Sequence, residues 1–292
     1  MQDRLKKKFR IRTIEKLKEN HKISCLCVFF MMSRQSYYKS IRQEERAVFD
    51  EEIVIKRLQE LRSDHFRMGG KKLYHLMRED IRRLELKLGR DKFFDLLREN
   101  GMLVKRQRKY VVTTQSHHRY RVYGNELKCA HITRSNQAWV CDITYIRIQT
   151  GFIYLFLITD VFSRKIVGWN LSPEQNVAAG LKALQMAIGQ TNNTEDIIHH
   201  SDRGFQYCSP AYVKVMHDNR MIISMGEAGN CYDNAMAERV NGILKNEYHL
   251  DATFTDLKQA LKATQHGIKC YNELRPHWSL NLKIPKEIHE AA

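Results

Sequence analysis

Apolar positions recur with helical spacing through the first hundred residues and with strand spacing only after Ala138. Over residues 47–62, Val48, Ile53, Ile55, Leu58 and Leu61 alternate with charge, which predicts a helix. Gly69-Gly70 breaks the pattern, and Leu73, Leu76 and Met77 form the stripe of a second helix. Gly89 breaks it again. Residues 90–100 predict a third helix, with Phe93, Phe94, Leu96 and Leu97 on its apolar side and Gly101 closing it. Residues 1–22 are highly charged and read as a helix or a loose arm. The run from Ile23 to Met32 is ten residues of mostly apolar sequence, too short to span a bilayer. A long charged segment precedes it and no small-residue cleavage site follows, so a buried helix is expected there. Ser33 is a suitable N-cap for a short helix opening Arg34-Gln35-Ser36-Tyr37-Tyr38. Its first turn would present Arg34 and Gln35 as a recognition helix does.

After Ala138 the period changes. Residues 139–148 alternate in part, residues 152–159 form a continuous apolar run, and residues 166–171 make a third strand. Gly151 marks a hairpin between the first two. Val177, Leu181, Leu184 and Ile188 give a helix over 176–188. Ile197-Ile198 is a short buried strand ending at Asp202, Pro210 opens a helix to His217, and Ile222-Ile223 is a further strand. A loop with Gly226 and Gly229 leads into a long helix over 231–248, and a last helix covers 255–274. The expected fold is α/β, a mixed sheet with helices on both faces, preceded by an all-α region. Four segments follow: a basic helical arm over 1–46, a helix-turn-helix domain over 47–104, a basic linker over 105–134, and the α/β core with its C-terminal helix and tail over 135–292.

Charge sharpens this division. The net charge is +16, and residues 1–128 carry 33 Lys and Arg against 17 Asp and Glu. Residues 129–292 carry 16 of each, so the entire excess lies in the first part. That is the footprint of a polyanion-binding module joined to a neutral domain, with a solvated basic surface or a membrane-surface arm as the alternative; double-stranded DNA is the expected partner, and no membrane span is expected from the short apolar run. The expected DNA contacts are Arg34, Gln35, Lys71, Lys72 and Arg90, with Lys105, Arg106, Arg108 and Lys109 of the linker lying along phosphates. Seven cysteines are scattered without a Cys-x-x-Cys pair, and no His-x-His or His-x-x-x-His accompanies them. No zinc site is expected from that pattern, which suits a reducing cytosol.

Three acids carry the candidate chemistry. Asp142 lies in the first strand, Asp202 follows the short fourth strand, and Glu238 lies on the long helix after it. Breaking or joining a phosphodiester needs charge neutralisation and an activated oxygen, which two Mg²⁺ ions held by carboxylates supply. Lys245 is two helical turns beyond Glu238 and shares its face, as do Asn234 and Asn241. Lys245 and Asn234 are expected to meet substrate phosphate. Spacing alone selects poorly among 33 acidic residues, and Asp160, which also ends a buried strand, is a rival for a metal position, though strand-end hydrogen bonding favours a structural role for it.

The surrounding motifs narrow the choice. They are Trp139-x-x-Asp142-Ile143-Thr144-Tyr145, Asp160-x-x-Ser163-Arg164, Gly168-Trp169, His200-Ser201-Asp202-x-Gly204-x-x-Tyr207 and Asp233-Asn234-Ala235 before Glu238. With Leu244-Lys245-x-Glu247 and Tyr271-Asn272-x-x-Arg275-Pro276-His277, they resemble the retroviral-integrase-type (DDE) core of bacterial insertion-sequence transposases, from about residue 138 to 285. Leu97-Arg98-Glu99-Asn100-Gly101-Met102 is similar to that family's helix-turn-helix segment, and Ser33-Arg34-x-Ser36-Tyr37-Tyr38 to the start of its second-reading-frame product. The resemblance implies an RNase H-like fold and Asp142, Asp202 and Glu238 as ligands of two Mg²⁺ ions, with Mn²⁺ as a substitute. It implies cleavage and strand transfer at element ends in the bacterial cytoplasm, on the nucleoid, by an oligomer on DNA. Glu227 departs from the pattern by placing an acid before the catalytic helix. No leucine-heptad helix is present, so an upstream-frame product or a fused transposase is an expected partner. A DNA-binding regulatory partner without independent activity is the alternative.

Overall fold

The structure is a computed structural model that describes residues 2–104, 119–226 and 234–291, with side chains for all of these except 2–6 and 8. Lys105, Arg106, Arg108, Lys109 and Glu227 lie outside the described residues, as do residues 231–233 at the expected start of the long helix. The chain divides into two compact units, residues 1–61 with 76–102, and residues 62–75 with 103–292. No helix among the described residues is long and apolar enough to cross a membrane.

The first unit draws on α1 (Gln2–Leu17), α2 (Ile23–Phe29), α3 (Arg34–Asp64), α4 (Gly70–Arg83) and α5 (Arg90–Glu99). Ile11 and Ile14 of α1, Leu26 and Cys27 of α2 and Tyr37 of α3 pack into a small core, so the start of the chain is an anchored helix. The Tyr37 hydroxyl also donates to the Glu15 carboxylate. The run from Ile23 is not a fully buried helix as expected. Only one side is covered, and Val28 and Phe29 are 80% and 78% exposed. The short helix after Ser33 and the helix over 47–62 are one element of 31 residues. The stretch between them holds good helix formers and neither Gly nor Pro, so nothing stops propagation. Ser33 caps the element, its hydroxyl accepting from the Ser36 N–H.

The second unit contains β1 (Ala138–Ile148), β2 (Gly151–Asp160), β3 (Ile166–Ser172), α6 (Val177–Ile188), β4 (Ile198–Ser201), α7 (Phe205–Cys208), α8 (Pro210–Asp218), β5 (Ile222–Met225), α9 (Ala235–Glu247), β6 (Thr253–Phe254), α10 (Leu257–Glu273) and α11 (Pro285–Glu290). The strand order is β3-β2-β1-β4-β5, with β6 also pairing β1. β1, β2 and β3 run antiparallel, while β4, β5 and β6 join in parallel. A three-strand meander continued by parallel strands across the sheet is the RNase H-like arrangement.

Strand alternation gives this sheet two apolar faces. Trp139, Cys141, Phe156, Ile158 and Val167 pack with α6 and α8 residues such as Ala183, Leu184 and Tyr212. Ile146, Leu155, Leu157 and Ile166 pack on the opposite face with Val240, Ile243 and Leu244 of α9 and Ile268 and Tyr271 of α10. At Gly168 the helix α6 comes so close that a Cβ would lie 2.3 Å from the Ala183 carbonyl oxygen, which explains the glycine of Gly168-Trp169. β6, α7 and α11 are absent from the sequence expectation, being too short to show a period.

Candidate active site

Asp142 stands in the middle of β1. Its neighbour Cys141 turns toward α6 and α8, so Asp142 turns to the α9 face. β4 pairs in parallel with β1, with Val140 opposite His200. Asp142 and Asp202 each lie two residues further along the chain, close enough for the Asp202 charge to act on the Asp142 carboxyl. Asp202 lies just past the end of β4, where the pairing stops and the backbone is free to turn. Its Oδ1 accepts from the Gly204 N–H at 3.0 Å. A Cβ on Gly204 would lie 2.9 Å from that same oxygen, so any larger residue there would press on the Asp202 carboxylate. His200 is fixed behind the site by a 2.8 Å bond between its Nδ1 and the Ser224 hydroxyl.

α9 supplies the rest. Asn234, Glu238, Asn241 and Lys245 follow one stripe of the helix, and the structure turns that stripe to β1. The Asn234 amide donates to the Cys141 carbonyl at 3.1 Å, and the Asn241 amide donates to Asp142 Oδ2 at 2.6 Å. Lys245 Nζ lies 4.1 Å from the centre of the Tyr145 ring. Glu238, in the first turn of α9, is exposed.

The electrostatics join the three acids. Burial pushes the Asp142 carboxyl up to about 7, the Asp202 charge adds to the push, and Glu238 adds a smaller one. The Ile143 N–H and the Asn241 amide act in the other direction. Burial holds Lys245 below the usual lysine value, opposed by the charges of Asp142 and Asp251. The arrangement is a pair of aspartates on adjacent strands with a glutamate standing off on the helix. That donor set fits hard divalent cations. It offers only oxygen ligands, and mutual repulsion raises a carboxyl pKa where a cation would lower it. Two buried oxygens on the same stripe of α9, Asn234 Oδ1 and Asn241 Oδ1, find no hydrogen-bond partner among the described residues.

Asp160 does not compete for this role. Its Oδ1 accepts from the Ser163 N–H and hydroxyl, both at 2.7 Å, and its Oδ2 from the Asn136 N–H at 2.8 Å. Burial alone would raise its pKa, but hydrogen bonds from His289 and Ser163 hold it below the usual value. It pairs with Trp139 in the β1–β2 register, three residues along the strand from Asp142.

Two of the expected DNA contacts are buried in this structure. Asn234 is 8% exposed and committed to the β1 backbone. Lys72 is also 8% exposed, with its ammonium 3.9 Å from Glu247 and its pKa pushed down to about 8, by burial first and then by Arg275. The same cluster accounts for two motifs, because Arg275, 1% exposed, grips Glu247 with two 2.8 Å hydrogen bonds. Arg275 also donates to His277 Nε2 at 2.9 Å. Arg34, Gln35, Lys71 and Arg90 are exposed. Sequence reasoning placed Asn241 on the correct helix face but gave it no role. Its spacing from Glu238 was the available signal.

Comparison with known proteins follows the same outline. An integrase core domain family matches residues 132–231, and a second integrase core domain family matches residues 219–285. The insertion element IS600 uncharacterized 31 kDa protein of Shigella sonnei is 32% identical over 269 residues, 91% of this chain and 97% of that protein. The transposase InsF for insertion sequence IS3A of Escherichia coli strain K12 is 35% identical over 184 residues, 62% of this chain and 64% of that protein. The transposase for insertion sequence element IS629 of Shigella sonnei is 29% identical over 95% of each chain. Among solved structures, the HTLV-2 integrase catalytic core domain in complex with magnesium aligns with 53% of this chain and 97% of its own, at 19% identity and a TM-score of 0.43. A simian T-cell lymphotropic virus intasome aligns over 77% and 75%, at 16% identity and a TM-score of 0.48.

Proposed function

Because the chain belongs to the insertion-sequence transposases with a retroviral-integrase-type core, we propose that it cleaves the 3′ ends of an insertion element and transfers them into target DNA. The observation that supports this most is that the charges of Asp202 and Glu238 both act on the buried Asp142 carboxyl, across strands that the β1–β4 pairing joins. Asp142, Asp202 and Glu238 would hold two Mg²⁺ ions, or Mn²⁺ in their place, and these when bound neutralise phosphate charge and activate the attacking oxygen.

The chain's own residues do the rest. Asn241 and the Ile143 N–H fix the Asp142 carboxylate, and the Gly204 N–H fixes Asp202. Such support keeps ligands in place before substrate arrives, which lowers the reorganisation needed at the moment of reaction. Lys245, steadied on the Tyr145 ring, offers a cation to a phosphate beside Asp142. The excess positive charge of residues 1–128 attracts element ends and target through their phosphates. The active form is an oligomer on DNA, assisted by an upstream-frame product or fused transposase, and it works on the nucleoid in the cytoplasm.

Labelled element-end duplexes test this reading. Asp202→Ala and Glu238→Ala are expected to abolish Mg²⁺-dependent nicking and strand transfer while DNA binding, read by gel shift, stays at the wild-type level. Cleavage persisting in either variant would remove the assignment. A wild-type chain that binds the ends but never cuts them, even with the upstream-frame product added, would make it a regulatory partner instead.

A further inference from the structure

The second unit holds a different ligand cluster, away from the three acids in both sequence and chemistry. Asp64 at the end of α3, His266 and Cys270 place one ligand atom each within 4.8 Å of the others. His266 and Cys270 are four residues apart on α10, so they share one face of the helix. Cys270 Sγ lies 3.5 Å from His266 Nε2. Two such ligands of a tetrahedral zinc ion, at about 2.3 Å for sulfur and about 2.0 Å for nitrogen, stand about 3.5 Å apart. Cys270 is buried while His266 is exposed, so the cluster has a wall of protein on one side and a solvent entrance on the other. The Phe66 and His266 rings meet at 66°, with centres 6.5 Å apart.

We propose that Asp64, His266 and Cys270 form a zinc site, with water completing the shell, that clips residues 62–75 to α10. The ligand types decide the metal. Thiolate and imidazole favour Zn²⁺ over Mg²⁺, whereas the all-oxygen set around Asp142 favours Mg²⁺. The two sites therefore load independently, and this one does not depend on the proposed reaction. Binding forms a sulfur–zinc bond and releases the Cys270 thiol proton to solvent. Sequence reading found no zinc pattern because one ligand comes from a helix some two hundred residues upstream of the His-x-x-x-Cys pair.

The test is zinc titration of the full chain in excess Mg²⁺, with metal content by mass spectrometry and Co²⁺ as a spectroscopic probe. One Zn²⁺ per chain is expected, and Co²⁺ should show a thiolate charge-transfer band and the visible bands of a four-coordinate ion. Cys270→Ser should lose the charge-transfer band. His266→Ala, at an exposed position, should weaken Zn²⁺ binding by roughly a hundred-fold or more, since even outer-shell partners are worth 10–100-fold. It should also lose the zinc-induced rise in Tm while keeping the wild-type circular dichroism spectrum. Equal zinc binding in wild type and both variants would overturn the proposal, as would a wild-type chain that takes up no zinc.

Discussion

The Asn241 amide donates to Asp142 Oδ2 at 2.6 Å, joining residues 99 positions apart in sequence. It is a 6% exposed side chain holding a carboxylate that burial and Asp202 would otherwise favour in the protonated form. Asn241→Leu removes that donor without adding charge. The Mg²⁺ concentration for half-maximal cleavage is expected to rise roughly ten- to a hundred-fold, while stability changes by only about 1 kcal/mol. A metal titration of nicking and a urea melt read the two quantities separately.

Asp142 also sets a pH dependence. Its carboxyl is raised to about 7 in the metal-free fold. The folded state therefore holds a proton that the unfolded chain has released, and stability falls as pH rises from the ordinary carboxylate range toward 7. Thermal melts in EDTA are expected to show Tm declining over that window. Asp142→Asn should flatten the decline, and added Mg²⁺ should restore Tm at pH 7 and above in wild type only.

The Glu247–Arg275 pair predicts a stability effect away from the reaction. Arg275 is 1% exposed, and replacing it with Met leaves a mostly buried carboxylate with Lys72 3.9 Å away. A loss of about 3–5 kcal/mol is expected, with much of it recovered when Glu247→Leu is added. Chemical denaturation of the two single variants and the double variant gives the coupling.

Gly204 and Gly168 should respond differently to the same change. Gly204→Ala crowds Asp202 Oδ1 at 2.9 Å and so moves a ligand of the reaction. Cleavage should fall steeply with little change in melting. Gly168→Ala meets the Ala183 carbonyl at 2.3 Å and should cost about 1–3 kcal/mol of stability, as overpacking does. Parallel melts and cleavage assays separate the two.

Lys71 and Lys72 are neighbours with opposite environments, one exposed and one buried against Glu247. If Lys71 meets a phosphate, Lys71→Ala lowers the salt slope of DNA binding by about 1 and leaves stability unchanged. Lys72→Ala should do the reverse, lowering stability and leaving the salt slope alone. Binding at several salt concentrations, beside a melt of each variant, decides between them.

Much of this was present in the sequence because it is local. Apolar runs from Ala138 to Leu171 marked three strands, and helical spacing marked α6, α9 and α10, since period depends only on neighbouring residues. The stripe Glu238-Asn241-Lys245 could be read for the same reason. The motifs around Asp142, Asp202 and Glu238 separated them from thirty other acids, and the charge division set a basic first part against a neutral core.

What only the tertiary structure decided is what depends on pairing across long separations. The register that sets Val140 against His200 brings the chain around the two aspartates together, and no local pattern encodes a register between strands sixty residues apart. Burial of Lys72 and Asn234 likewise follows from which surface lands on them, so one lysine of an adjacent pair meets solvent and the other meets Glu247. The bond from Asn241 to Asp142 exists because α9 crosses β1 at one angle and height, a consequence of the apolar contacts of Val240, Ile243 and Leu244 with the sheet. Composition and period chose the elements and the acids. Packing chose which of their neighbours would hold them in place.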